Sequence, residues 1–174
     1  KNITGIPWNS LVPEDAAAFE WMHEIIDYEP AEAFGRELLG RLASLGIEKG
    51  KPFDPDARLQ RIFEKAAQQG IAMSRVIAFD CRDDEAVVYP NRRWESPYVT
   101  NNSTFYRGDH IALEARTVFH FTADGITPAM AAQMPEGKGS RYQTTYKDAD
   151  GDYFDGAKTY KVHMPPEVPV ALFW

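Results

Sequence analysis

One cysteine, Cys81, stands in 174 residues, so no disulfide can close within the chain and its redox compartment stays open. Basic residues are also scarce. Nineteen Lys and Arg face 26 Asp and Glu, giving a net charge of −7, and only Arg92-Arg93 are paired in sequence. Nucleic acid needs a clustered basic face and an anionic bilayer needs a polybasic stretch, so neither partner is expected. No apolar run reaches about 18 residues, so no membrane span is expected. Repeats, low-complexity tracts and a Gly-x-Ser-x-Gly nucleophile elbow are missing. What is present is 44% apolar and 13% aromatic residues. That supplies a core for about one domain, or one plus part of a second, burying roughly two thirds of the unfolded surface. The chain opens without Met and stops at Phe173-Trp174 in what reads as mid-strand. We expect an internal piece of a longer protein, and the compartment is left unassigned.

The first two thirds alternate helical patterns with Pro and Gly. Pro13, followed by Glu14 and Asp15, suits a helix start, and Phe19, Met22 and Ile26 mark its apolar face up to Pro30. A second helix is expected from Pro30 to about Ser44, with Phe34, Leu38, Leu39 and Leu42 inward and Gly46 as its stop. Asp54-Pro55 reads as cap and first position of a third, in which Leu59, Ile62, Phe63, Ala66, Gly70, Met73 and Ile77 follow at three- and four-residue spacing. Gly70 implies close packing by a neighbour, or a break. Residues 86–106 mix aromatics with Pro and Asn and predict short strands and turns. Asp109 is expected to cap a helix with Ile111, Ala115, Val118, Phe119 and Thr122 on one face, ended by Asp124-Gly125. Thr127-Pro128 starts a short helix to about Met134. The fold class is therefore α+β: a mainly helical region over residues 1–138 and a β region over 139–174, with the boundary near Gly137 to Ser140.

Several motifs, taken in order, resemble one family: Ala115-Arg116 with Phe119, Asp124-Gly-Ile-Thr-Pro-Ala-Met130, Gly139-Ser-Arg-Tyr142, Asp148 to Gly156 with Lys158-Thr-Tyr160, and Pro165 to Trp174. Gly5-Ile-Pro-Trp8, Gly46 to Phe53 and Tyr89-Pro90 extend the match. Together they resemble the mostly bacterial proteins that pair two domains of unknown function, numbered 1254 and 1214. The resemblance implies a helical bridge followed by the first strands of a jelly-roll-like β-sandwich. It departs at Ala123-Asp124-Gly125, where the family tends to have Ala-Thr-Gly. It carries over no catalytic residue.

Several constellations could carry chemistry. Asp148, Asp150 and Asp152 occupy the first acidic positions of a calcium loop, but Tyr153 and Thr159 stand where Gly and Glu are required, so a hairpin turn is the preferred reading. His110 and Glu114 share a face of the expected helix. His120 lies roughly 80° around it and ~15 Å along it, too far for one ion, so no metal is expected. His23 reads as a half-buried, hydrogen-bonded side chain, and His163 as a strand residue facing solvent. The acids around Cys81 disfavour a thiolate. Gly137-Lys-Gly-Ser-Arg141 reads as a loop rather than an anion nest. Arg93, Trp94, Tyr98 and Tyr106 form the candidate ligand surface, since aromatics with Arg suit flat organic or sugar rings. The alternative is that these rings seal the helical region.

If the protein is an enzyme, we expect a hydrolase or lyase for a small organic substrate, without a cofactor. Arg116 would hold an anion, His120 would move protons, and Asp124 and Tyr142 would complete the site, provided all four converge in one pocket. The rival is a non-catalytic carbohydrate- or surface-binding or structural module, with a shallow aromatic patch and a self-association surface. A third reading makes the chain half of a split protein. Expected partners are the rest of the same protein, a companion chain, or further copies of this one.

Overall fold

A computed structural model describes residues 4–5, 11–123, 126–131 and 142–164. In it, Asp15 takes the amide of Ala17 on its carboxylate at 2.9 Å and starts helix α1, Ala17–Tyr28. Met22 and Phe19 are half-buried on its inner face and Ile26 is buried, as their spacing requires. Lys49 donates to the carbonyls of Asp27 and Glu29, placing a cation at the negative end of the helix dipole.

The second helix is shorter than expected. A 3-10 turn covers Ala31–Ala33, Phe34 is extended, and Gly35 caps α2, Arg36–Ala43. The broken backbone at Phe34-Gly35 turns Leu38 outward, while Leu39 and Leu42 stay half-buried. Gly46, at φ +82°, ends the element. Its amide bonds the Ala43 carbonyl at 3.0 Å, and that of the buried Ile47 bonds Leu42 at 3.0 Å, a Schellman closure.

Helix α3, Ala57–Phe79, is capped by Asp56 rather than by Asp54. The Asp56 carboxylate takes the Leu59 amide at 2.7 Å, which is the three-residue reach that a capping side chain has. Gly70 neither breaks the helix nor marks a close neighbour, for nothing stands within 4 Å of where its Cβ would be. Ile62, Met73 and Val76 are exposed, and Phe63 and Ala78 are buried.

The chain forms two compact units, Lys1–Met73 and Ser74–Trp174. In the first, Phe63 stacks on Phe19 (centroids 4.1 Å apart) and tilts against Phe53 (5.8 Å). In the second, Ala86, Val99, Ala115 and Val118 form the core, with Phe105 and Tyr98 both 5.7 Å from Phe119.

Residues 84–111 are turns and short extended pieces, in keeping with their Pro and Asn content. Asn102 organises them. Its side-chain oxygen takes the amides of Thr104 and Tyr106, and its nitrogen donates to the carbonyls of Thr100 and Tyr106. Strands β1, Tyr106–Arg107, and β2, His110–Ile111, pair antiparallel. Asp109 therefore sits in a two-residue hairpin turn beside Gly108 and caps no helix. Helix α4, Leu113–His120, follows from Ala112 and buries Ala115, Val118 and Phe119. Ile111 is exposed, because it belongs to the hairpin and not to the helix. Helix α5 spans Pro128–Ala131.

Antiparallel bridges join Val87 to Glu95, Glu95 to Thr144 and Lys147 to Tyr153. The architecture is thus mixed: helices with a small antiparallel sheet, α+β. Lys161 to Met164 has no regular structure, where a strand was expected. The expected boundary at residues 137–140, the Asp124-Gly125 stop, the loop at 137–141 and the Phe173-Trp174 ending lie outside the described residues.

A candidate aromatic cleft

The acidic stretch after Lys147 is a tight turn. Asp148 takes the amides of Asp150, Gly151 and Asp152 on one oxygen, at 3.0, 3.1 and 3.1 Å. Gly151 has φ +97°, a conformation that L side chains resist. With Asp148 so engaged, the stretch serves as hairpin chemistry. The hairpin continues through the Phe154 amide, which bonds the Tyr146 carbonyl at 3.0 Å.

This turn brings Tyr146, Tyr153 and Phe154 to one cleft of about 460 Å³, together with Val76 and Phe79 from the end of α3. Arg75 and Thr145 complete the lining. Phe79 meets Tyr146 edge-to-face at 4.8 Å, and Phe154 meets Tyr160 the same way at 4.7 Å. The Lys147 ammonium lies over the Tyr153 ring, 4.8 Å from its centroid.

Four ionisable groups of this neighbourhood depart from their ordinary values. Lys147 pairs with Asp80. That bond holds the Asp80 carboxyl below the usual range and the Lys147 ammonium above its own. Glu95 goes the other way. Burial raises its carboxyl, the nearby Lys147 opposes the rise, and Asp80 adds to it. Its Oε2 is enclosed with no hydrogen-bond partner among the described residues. The Cys81 thiol is raised as well, first by burial, against a lowering backbone hydrogen bond at Asp83, and then by the charges of Glu95, Asp83 and Glu114, which disfavours a thiolate.

The residues singled out in the sequence lie outside this cleft where the structure describes them. Arg116 and His120 lie exposed one turn apart on α4, and the His120 ring stands edge-on to Phe121 at 5.1 Å. Tyr142 is exposed, and Asp124 is outside the described residues. None of the three described residues lines the cleft. Among the ligand candidates, Tyr98 packs on Phe119, Trp94 is half-buried and Tyr106 is exposed on β1. The Arg93 guanidinium crosses Gly151, whose Cβ would stand 2.8 Å from it. Beside them, Arg107 binds Asp83 at 2.8 Å and Glu85 at 2.9 Å.

His110 is on β2 and Glu114 on α4, where Glu114 contacts Arg82 at 3.3 Å, so the two share no helix face. His23 is half-buried, hydrogen-bonded to the Lys51 carbonyl at 2.8 Å, and stacked on Phe53; His163 is exposed. Sequence reasoning missed Phe79, Glu95, Tyr146, Lys147 and Tyr153. The available sign was the set of aromatics at 146, 153, 154 and 160 around the acidic turn.

No curated protein matches this chain. The last stretch, residues 139–174, is similar to the family described as protein of unknown function (DUF1214), whose model matches those 36 of the 174 residues.

Proposed function

We propose that the chain is a non-catalytic binding module that seats a flat ring, aromatic or sugar, in the aromatic cleft of its C-terminal unit. The observation that carries this reading is the convergence of Phe79, Tyr146, Tyr153 and Phe154 on one concave surface. Such rings offer broad apolar faces at little conformational cost, and each stacking contact is worth about 0.5–1.5 kcal/mol. The acidic balance of the chain favours a neutral ligand over an anionic one.

Acid–base catalysis needs its groups within reach of one reacting atom. Arg116, His120 and Tyr142 stand exposed and outside the cleft lining, which favours the binding reading over a hydrolase or lyase built on them. One observation favours an enzyme: the enclosed Glu95 carboxyl, which keeps its proton longer than an ordinary glutamate and could donate it.

The probe is phenyl β-glucoside, which carries both kinds of ring, followed by saturation-transfer NMR on the full chain. The expected result is transfer to the phenyl or sugar protons, with affinity about five-fold weaker or worse in Tyr146→Ala and in Tyr153→Ala. Glu95→Gln should leave binding unchanged. Absence of transfer, or variants that bind as well as the parent, would sink the proposal.

In this reading, residues 139–174 open a jelly-roll-like sandwich, preceded by a helical bridge of the kind that follows a 1254-type domain. The rest of the protein, a companion chain or a second copy completes it. Support comes from the antiparallel bridges at Thr144 and Lys147 and from exposed apolar side chains, among them Tyr28 (85% exposed), Leu11 (75%) and Val162 (63%). Native mass spectrometry should show a species heavier than the denatured chain. A lone species near 19.7 kDa in both would remove the partner from the account.

A further inference from the structure

We propose that a second cleft, in the N-terminal unit, binds a small organic cation on an aromatic floor. This cleft holds about 790 Å³ and is lined by α1, the 53–55 stretch and the N-terminal half of α3. Small-molecule sites fall in the range of about 300–1,000 Å³.

Its floor is set before any ligand arrives. Phe63 is buried and stacked on Phe19, Phe53 tilts against Phe63, and His23 stacks on Phe53 at 5.5 Å with Nε2 tied to the Lys51 carbonyl. Around that floor stand Glu14, Asp15, Glu20, Glu24, Asp54 and Glu64, and the described lining includes no Lys or Arg. Asp15 is engaged by the Ala17 amide and Glu14 has a contact of its own. Glu20, Glu24, Asp54 and Glu64 join no ion pair among the described residues.

Glu20 and Glu24 lie one turn apart on α1, where like charges repel. A neutral or anionic guest leaves that repulsion standing, whereas a cation relieves it. Carboxylates around a concave surface also focus field lines and concentrate cations. Among the described residues no three His, Cys, Asp or Glu stand close enough to hold a metal ion. The acids are spread around aromatic faces instead, which suits an alkylammonium with an apolar body through cation–π contact.

The test titrates benzyltrimethylammonium into the full chain and follows backbone amide shifts. Shifts should fall on Glu20 to Glu24 and Gln60 to Gln68, and binding should weaken as salt rises from about 0.1 to about 1 M and the screening length falls from about 10 to about 3 Å. The pair Glu20→Gln with Glu64→Gln should lose about five- to ten-fold in affinity, because two rim charges are gone. The pair Glu32→Gln with Glu37→Gln removes the same charge away from the cleft and should lose little. All four side chains are exposed, and the amide spectrum of each free variant reports its fold. The proposal is overturned by absence of shifts at low-millimolar probe, by equal shifts from the neutral benzyl alcohol, or by equal losses in the two double variants.

Discussion

Asp148 gives one carboxylate oxygen to three backbone amides, so its replacement orphans three donors at once. Asp148→Ala should cost about 1–2 kcal/mol in chemical denaturation, whereas Asp150→Ala, two residues on, should cost under about 0.5 kcal/mol. Glu95 makes a prediction of opposite character. Its carboxyl is raised in the folded chain, so the folded state holds the proton while the unfolded state has already released it. Stability is full below the ordinary glutamate range and is lost as pH rises through the raised value. Glu95→Gln cannot ionise. The melting temperature of the parent should therefore fall relative to the variant from about pH 4 to about pH 7, where an ordinary glutamate would show no such trend. A parent that instead loses ground toward acid would contradict this. At this scale the acidic turn was legible from Asp and Gly content alone. Glu95 was not, since its burial follows from the fold, in which its backbone pairs with Thr144 and its carboxyl senses Lys147, about fifty residues away.

Helix α3 shows how far pattern reaches at the scale of elements. Its three- and four-residue spacing gives the element, but the spacing alone does not say which apolar residues are buried; Phe63 is, while Ile62 and Met73 stay exposed. Its cap moved by two residues because a carboxylate must reach the third helical amide. Gly70 has a helical neighbourhood and open space around its Cβ position, so Gly70→Ala should stabilise the chain by about 1 kcal/mol in urea. Gly151→Ala should do the reverse and cost about 1–3 kcal/mol, through its positive φ more than through the flexible Arg93 that it would meet. The second helix was overextended because Pro30 can open a helix, and nothing in composition marks Phe34 as extended. Asp109 misled for a related reason. Asp before an apolar run suits a cap and a hairpin turn equally, and only the pairing of Tyr106 with Ile111 decides between them.

For the whole molecule, the mixed α+β class was legible because helical and turn-rich segments are separated in sequence. The aromatic cleft was not. Val76 and Phe79 meet Tyr146, Tyr153 and Phe154 across more than sixty residues, and no local period encodes that meeting. Arg116 and His120 looked suited to catalysis as residue types, yet they stand exposed on α4. The central claim is that the aromatic cleft is the ligand seat. The most direct measurement is a map of backbone amide shifts on the full chain as phenyl β-glucoside is added. The account predicts shifts confined to residues 75–79 and 145–154, weakened together in Tyr153→Ala. Shifts centred on α4 at Arg116 and His120 instead, or none at all, would contradict it.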